Sequence, residues 1–252
     1  MQANNISEVI EQLNEILVGC IAISDRAGYF AALYKRVIVA VANKINEGHF
    51  DDNERMEKMD IVFASRYLET YKNYGSGKPC SVCWQLAFDT SRSWRPMVIH
   101  HLLAGMNAHI SLDLDIAAAV VSPGAAIHEI QNDFNKINII LNKLVDDVKK
   151  DLFAMWTLSR LIVHLNTGNL ENEIAEFSMT LPRDAAWQQA INFAPLNSTD
   201  AQQLFITERD KAITTFGNKL LYPALWLQTV MSIFRVFKFG TVSSKISKLN
   251  RY

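Results

Sequence analysis

Glycine and proline are scarce in this chain, at 10 and 6 among 252 residues. Sheet-rich folds need turn residues more often than that, so the shortage favours long, uninterrupted helices. Cysteine is scarcer still, and three thiols, an odd number, argue against a disulfide framework and for a reducing cytoplasm. Neither sign of charge dominates. Lysine plus arginine count 25 against 26 acidic residues, so bulk charge gives no reason to expect nucleic acid or an anionic membrane as partner. Long apolar runs are missing too: no stretch reaches the roughly 18 uncharged residues that a membrane-spanning helix needs. The opening MQANNISEVIEQLNEILVG has no basic start, apolar middle or small-residue cleavage site, so no secretory signal is expected there.

What is present is apolar patterning at the helical period. Hydrophobic residues make up 49% of the chain, enough for a substantial core. SDRAGYFAALYKRVIVAVANKINEG places Ser24 as an N-cap and Gly48 as a stop, with Tyr29, Leu33, Val37, Ala40 and Val41 on one stripe. FDDNERMEKMDIVFASRYLETYKNYGSG repeats the design, with Asp51 or Asp52 capping and Gly75 closing. Lys78-Pro79 opens a shorter helix to about Asp89, and Pro96 sits in the first turn of one that runs to about Val121. After Ser122-Pro123, the residues Ile127, Ile130, Phe134, Ile137, Leu141, Leu144 and Val148 alternate at spacings of three and four, the seam of near-parallel bundle helices. Further helices are expected at about 152–166, 170–179, 182–193 and 199–217, and the last apolar segment, 220–238, is interrupted near Pro223. With no repeat, low-complexity tract or linker, the expected fold is all-α. It is a single-domain multi-helix bundle of about eight to ten helices over 1–240, with 241–252 a frayed basic tail.

Polar chemistry concentrates in HHLLAGMNAHISLDLD, residues 100–115. At about 100° per residue, His109 and Asp113 lie within reach of each other on one face. His101 and Asp115 come nearly into register on another, while His100, Asn107 and Ser111 lie opposite His109. Apolar residues are interleaved on every side, as on a central helix buried all round. Its polar groups then need internal partners, since a buried unpaired polar group costs on the order of 1–3 kcal/mol. Charges on other helices sit in similarly apolar settings. Asp60 shares a face with Met56, Phe63, Ala64 and Tyr67; Arg66 shares the stripe of Met59 and Phe63; Asp133 flanks the seam at Ile130 and Ile137. Arg26, in a first helical turn, opposes the macrodipole and demands a carboxylate from elsewhere. One internal cluster is therefore expected to unite Asp60, His109, Asp113 and Asp133 with Arg26 or Arg66.

Two functional readings follow. In the first, His109 and Asp113 are i,i+4 ligands of a divalent metal, completed by Asp60 or Asp133, in a metal-assisted hydrolase acting on a small molecule. Asp60, His109 and Asp113 are then the catalytic candidates, with Arg26, Arg66, Asn107 and Asp133 as binding residues. The Glu-x-x-His repeat typical of bundle metal sites is missing. In the second reading the cluster is noncatalytic and fixes helix register in a ligand-binding or protein-interaction bundle. HISLDLD is similar to the zinc-dependent phospholipase C signature, in which a histidine and an aspartate four residues on bind zinc. Ala117 and Ala119 replace that pattern's proline and next histidine. Cys80-Ser81-Val82-Cys83 is a lone CxxC with no second pair and reads as packing thiols. Residues 220–238, with Arg235 and Lys238 among aromatics, read as a terminal helix on the bundle or as a peripheral membrane or partner-binding helix.

In chain order, SDRAGYFAALYKRV, FDDNERMEKMDIVFASRYL, HHLLAGMNAHISLDLDIAAA, NDFNKIN and RDAAWQQA resemble the domain-of-unknown-function family 5995, a bacterial family. The resemblance runs from about residue 5 to about 195 and implies a helical protein, without implying an activity, substrate or cofactor. The residues that match its motifs are Arg26, Tyr29, Asp52, Arg55, Asp60, Arg66, Asn107, His109, Asp113 and Asp133.

Overall fold

The computed structural model describes residues 3–141, 144, 180–221 and 240–251, and among these every regular element is helical. In order they are α1 (Ile6–Ile23), α2 (Ala27–Asn46), α3 (Asn53–Gly75), α4 (Val82–Arg92) and α5 (Val98–Ala108). A π-helical turn (His109–Asp113), α6 (Leu114–Val121) and a 3-10 turn (Gly124–Ile130) follow. The remaining helices are α7 (131–141), α8 (Thr180–Phe193), α9 (Thr199–Leu221) and α10 (Val242–Leu249). The protein is an all-α multi-helix bundle. The helices expected at 152–166 and 170–179, and the apolar segment 220–238 beyond Leu221, lie outside the described residues.

Local chemistry sets the boundaries, and in places it differs from the expectation. Ser24 does not cap α2. It closes α1 in the left-handed region at φ 56°, with the Asp25 N–H bonding back to the Cys20 carbonyl at 2.8 Å. The junction is so short that Asp25 takes over the cap, accepting from the Ala27 N–H at 2.9 Å. Asp52, not Asp51, caps α3 through the Arg55 N–H at 2.9 Å. α3 does end at Gly75, but the left-handed turn after it falls on Gly77 at φ 69°.

The rod formed by α5, the π turn and α6 runs through the middle of the bundle. α5 meets α2, α4 and α9, and α6 meets α3 and α8. Its polar residues His100, His101, Asn107, His109, Asp113 and Asp115 are all buried, as are the seam residues Ile127, Ile130, Phe134, Ile137 and Leu141. The expected frayed tail is instead an ordered helix. Thr241 caps α10 by accepting from the Ser244 N–H, and Ile246 and Leu249 are fully buried against α1 and α2. An i,i+3 apolar pair in a short basic segment is too brief a pattern to reveal docking from sequence. The docking is close: a Cβ on Gly28 of α2 would stand 2.6 Å from Ile246 Cδ1. Among the described residues no single helix is long and apolar enough to cross a membrane.

Candidate functional site

Asp113 is the hub of the buried polar network. It lies at the end of the π turn with its side chain 1% exposed. Oδ1 accepts from Arg66 Nε of α3 at 2.8 Å, and Oδ2 accepts from Trp84 Nε1 of α4 at 2.8 Å. The same Oδ2 meets His109 Nδ1 at 3.0 Å. Burial pushes the carboxyl upward, but Arg66, His109 and Trp84 together hold it below its ordinary range, so it is ionised. For His109 burial dominates in the other direction and only part of the loss is recovered from Asp113, so the imidazole is neutral. An ionised carboxylate can only accept, which assigns the proton of the neutral ring to Nδ1 and the lone pair to Nε2.

That Nε2 is buried without a hydrogen-bond partner among the described residues. The ring is enclosed by aromatics. Phe63 stacks on it at 3.7 Å between centroids, Tyr34 meets it edge-on at 4.4 Å, and Phe30, Trp84 and Tyr67 complete the wall. The Tyr34 and Tyr67 hydroxyls and Asp60 Oδ2 are likewise buried and unpartnered. Desolvation raises the Tyr34 hydroxyl well above its ordinary value, and the neighbouring carboxyls of Asp60 and Asp113 add to the shift. Burial pushes Asp60 up to about 8, with Glu57 contributing, so its carboxyl is protonated at neutral pH. Behind Phe30, Tyr67 and Trp84 lies a semi-open pocket of about 10 Å³, room for roughly one water, which Arg26, Ser91 and His101 also line.

The expected cluster therefore divides. Arg66 and His109 both bond to Asp113, while Asp60, also buried, makes no hydrogen bond or ion pair with them among the described residues. Asp133 does not join them. Its carboxylate accepts from the Asp51 and Asp52 N–H groups at 2.7 and 3.0 Å, and so pins the start of α3 to α7. Asn107 donates to the Ile213 carbonyl at 3.0 Å and tethers α9. Arg26 has no carboxylate within ion-pair distance among the described residues, contrary to the expectation. His101 and Asp115 are not a pair: His101 faces Tyr29 at 5.4 Å between rings, and Asp115 lies 3.6 Å from Arg209 Nε. Fourteen residues of helix set them about 21 Å apart along the axis, and the π turn, in which the Leu114 N–H bonds to the His109 carbonyl, also turns them to different faces. One extra residue in a turn shifts everything after it by about 100° relative to a straight α-helix.

The third metal ligand expected beside His109 and Asp113 is not found among the described residues. Among the described residues no three His, Cys, Asp or Glu side chains are grouped to hold an ion, and both oxygens of Asp113 accept from protein N–H groups. The similarity to the phospholipase pattern thus supplies two residues without a third. The thiols of Cys80 and Cys83 are pushed up by burial, which suits packing and not reactivity.

Sequence reasoning missed Trp84, Tyr34 and Phe63. The i,i+4 aromatic pairs Phe30/Tyr34 and Phe63/Tyr67 were the signal, since each puts two rings on one helix face. It also missed Asp210, which accepts from the Val82 and Cys83 N–H groups at 2.6 and 2.8 Å and caps α4 from α9.

Fold and site together define an all-helical bundle organised around a buried Arg–Asp–His network in an aromatic enclosure. The chain belongs to the family of unknown function DUF5995, whose model matches residues 6–223. No curated protein and no solved structure matches it.

Proposed function

We propose that the protein binds a small polar molecule inside the bundle against His109, and that His109 accepts a proton from it. The observation behind this reading is the unpartnered, fully buried Nε2, oriented by the Nδ1–Asp113 bond and enclosed by rings. Leaving such an atom unsatisfied costs on the order of 1–3 kcal/mol, and Asp60 Oδ2 and the Tyr34 hydroxyl repeat that cost nearby. A ligand that donates to Nε2 and accepts from Tyr34 or the protonated Asp60 offsets much of it. The flat aromatic walls favour a flat apolar body on that ligand. When Nε2 takes the proton, the Asp113 carboxylate stabilises the resulting imidazolium, and Arg66 keeps that carboxylate ionised. Phe30, Tyr67 and Trp84 stand between His109 and the semi-open pocket, so entry requires these rings to move.

A second reading is noncatalytic: the network fixes the register of α3, α4 and the central rod. It is favoured by the full engagement of Asp113 from three elements. Long-range ¹H–¹⁵N spectra of histidine-labelled protein separate the two. The binding reading expects a neutral His109 protonated at Nδ1, whose Nε2 resonance moves when phenol is added but not when toluene is. Identical responses to the two probes would sink it in favour of the register role.

A further inference from the structure

We propose that Asp115 and Arg209 form a proton-operated latch between α6 and α9, and that opening it loosens α4, the helix whose Trp84 holds the hub carboxylate. The latch does not depend on a ligand binding at His109. Asp115 is 0% exposed. Its Oδ1 accepts from the adjoining Ile116 N–H at 2.7 Å, and its Oδ2 is buried without a hydrogen-bond partner among the described residues. The cation facing it is Arg209 of α9, with Nε 3.6 Å from Oδ2. That Nε is likewise buried and unpartnered among the described residues, while Nη2 donates to the Ser111 carbonyl of the π turn at 2.6 Å. At 3.6 Å the pair is joined by charge without a hydrogen bond, so the attraction lasts only while Asp115 is ionised.

The other elements packed on α6 do little for that charge. The π turn brings Asp113, a like charge, and α3 brings Arg66, already bonded to Asp113. The buried residues of α8 are Ala186, Trp187, Ala190 and Phe193, none of them charged, and His128 and Glu129 of the 3-10 turn are exposed. Burial therefore outweighs Arg209 and pushes the Asp115 carboxyl up to about 7, where a modest change of pH sets its charge.

α9 turns that charge into position. One turn beyond Arg209 the helix is fixed, because the Ile213 carbonyl accepts from Asn107 of the rod. Further along, a Cβ on Gly217 would stand 3.0 Å from Asn107 Nδ2. Ahead of that pivot, Arg209 ties α9 to the rod, and the next residue, Asp210, caps α4 at the Val82 and Cys83 N–H groups. Trp84 follows immediately and donates to Asp113 Oδ2. With Asp115 neutral, Arg209 keeps only its Ser111 bond. The leading half of α9 is then freer to swing about Asn107, and the Asp210 cap moves with it.

The test is a pH series on the full chain from roughly pH 6 to 8.5, following the Trp84 indole and Cys83 amide resonances in ¹H–¹⁵N spectra. Trp84→Phe assigns the indole, and far-ultraviolet circular dichroism checks that helix content is kept. In the wild type the two resonances are expected to move together with a midpoint near 7. The Cys83 amide should lose protection from exchange on the acid side, after correction for the intrinsic rate. Asp115→Asn is neutral at every pH and should hold both resonances at the wild type's acid-side positions throughout. Arg209→Gln should abolish the movement although Asp115 still titrates. Asp60→Asn and His109→Gln should keep it, which separates the latch from the other buried titrations. The proposal is overturned if the wild-type resonances stay still or if their movement survives in Asp115→Asn or Arg209→Gln. Loss of the movement in Asp60→Asn or His109→Gln overturns it as well.

Discussion

Replacing Asp113 by Asn keeps the shape of the hub and removes its charge. The amide can offer its oxygen to Trp84 Nε1 and His109 Nδ1, which leaves its NH₂ facing Arg66 Nε, a donor against a donor. The opposite flip sets NH₂ against two buried donors and is worse. Arg66 is 31% exposed and can swing toward water, so the first arrangement prevails. The cost is one charge-assisted bond lost and two weakened, about 3 kcal/mol, at the lower end of the range for breaking a buried ion pair. For a chain of this length that is a fall of about 6–12 °C in unfolding temperature. Urea unfolding followed by far-ultraviolet circular dichroism measures it, and a double-mutant cycle with Arg66→Ala locates it. Arg66→Ala should be costly in the wild type and nearly free in Asp113→Asn, a coupling of roughly 1–3 kcal/mol. A loss below about 1 kcal/mol for Asp113→Asn, or additive single effects, would refute the view of Asp113 as the hub.

Asp60→Asn tests the neutral carboxyl. The folded-state value of about 8 lies above the ordinary carboxylate range, so the native state retains a proton that the unfolded chain gives up. Wild-type stability should therefore fall, relative to Asp60→Asn, by about 1.4 kcal/mol per pH unit between roughly pH 4 and 8; parallel urea curves for the two proteins mean Asp60 is not buried as described. His109 and Asp113 act with the opposite sign. Both are held below their ordinary values, so stability should drop as acid passes through roughly pH 6.5 and again through the carboxylate range. His109→Gln should abolish the upper of these two steps in denaturant midpoints measured against pH. Gly105→Ala would bring a Cβ to 2.4 Å from Phe30 Cδ2, a ring locked against Trp84, Tyr67 and Tyr34, and should cost about 1–3 kcal/mol of stability by overpacking. Asp210→Ala should cost about 1–2 kcal/mol through loss of the α4 cap, read as faster amide exchange at Val82 and Cys83.

Helical period and the punctuation of Gly48, Asp52 and Gly75 made the early helices legible in the sequence, because those signals act within a turn or two of the residues that carry them. The His109–Asp113 contact was legible for the same reason, as an i,i+4 pair on one helix. Partners from other helices were not. The pairing of Arg66 with Asp113 and the capping roles of Asp133 and Asp210 depend on tertiary arrangement, which no spacing in one segment encodes. His101 and Asp115 failed because a wheel drawn at constant pitch shows neither the rise that sets them about 21 Å apart nor the π turn between them. The tail was misread because its two buried residues, Ile246 and Leu249, are outnumbered by the basic and hydroxyl residues around them.

The π turn also changes what a small genetic lesion means in this protein. Upstream of it the rod answers to α2, α4 and α9, and downstream to α3 and α8, with the extra residue setting the phase between the two halves. Deleting one residue from 110–112 would let the turn close as ordinary α-helix and leave Leu114, Asp115, Ile116, Ala117, Ala118 and Ala119 facing the neighbours they have now. A one-codon deletion there spares the phase of six core residues and changes the His109–Asp113 spacing instead.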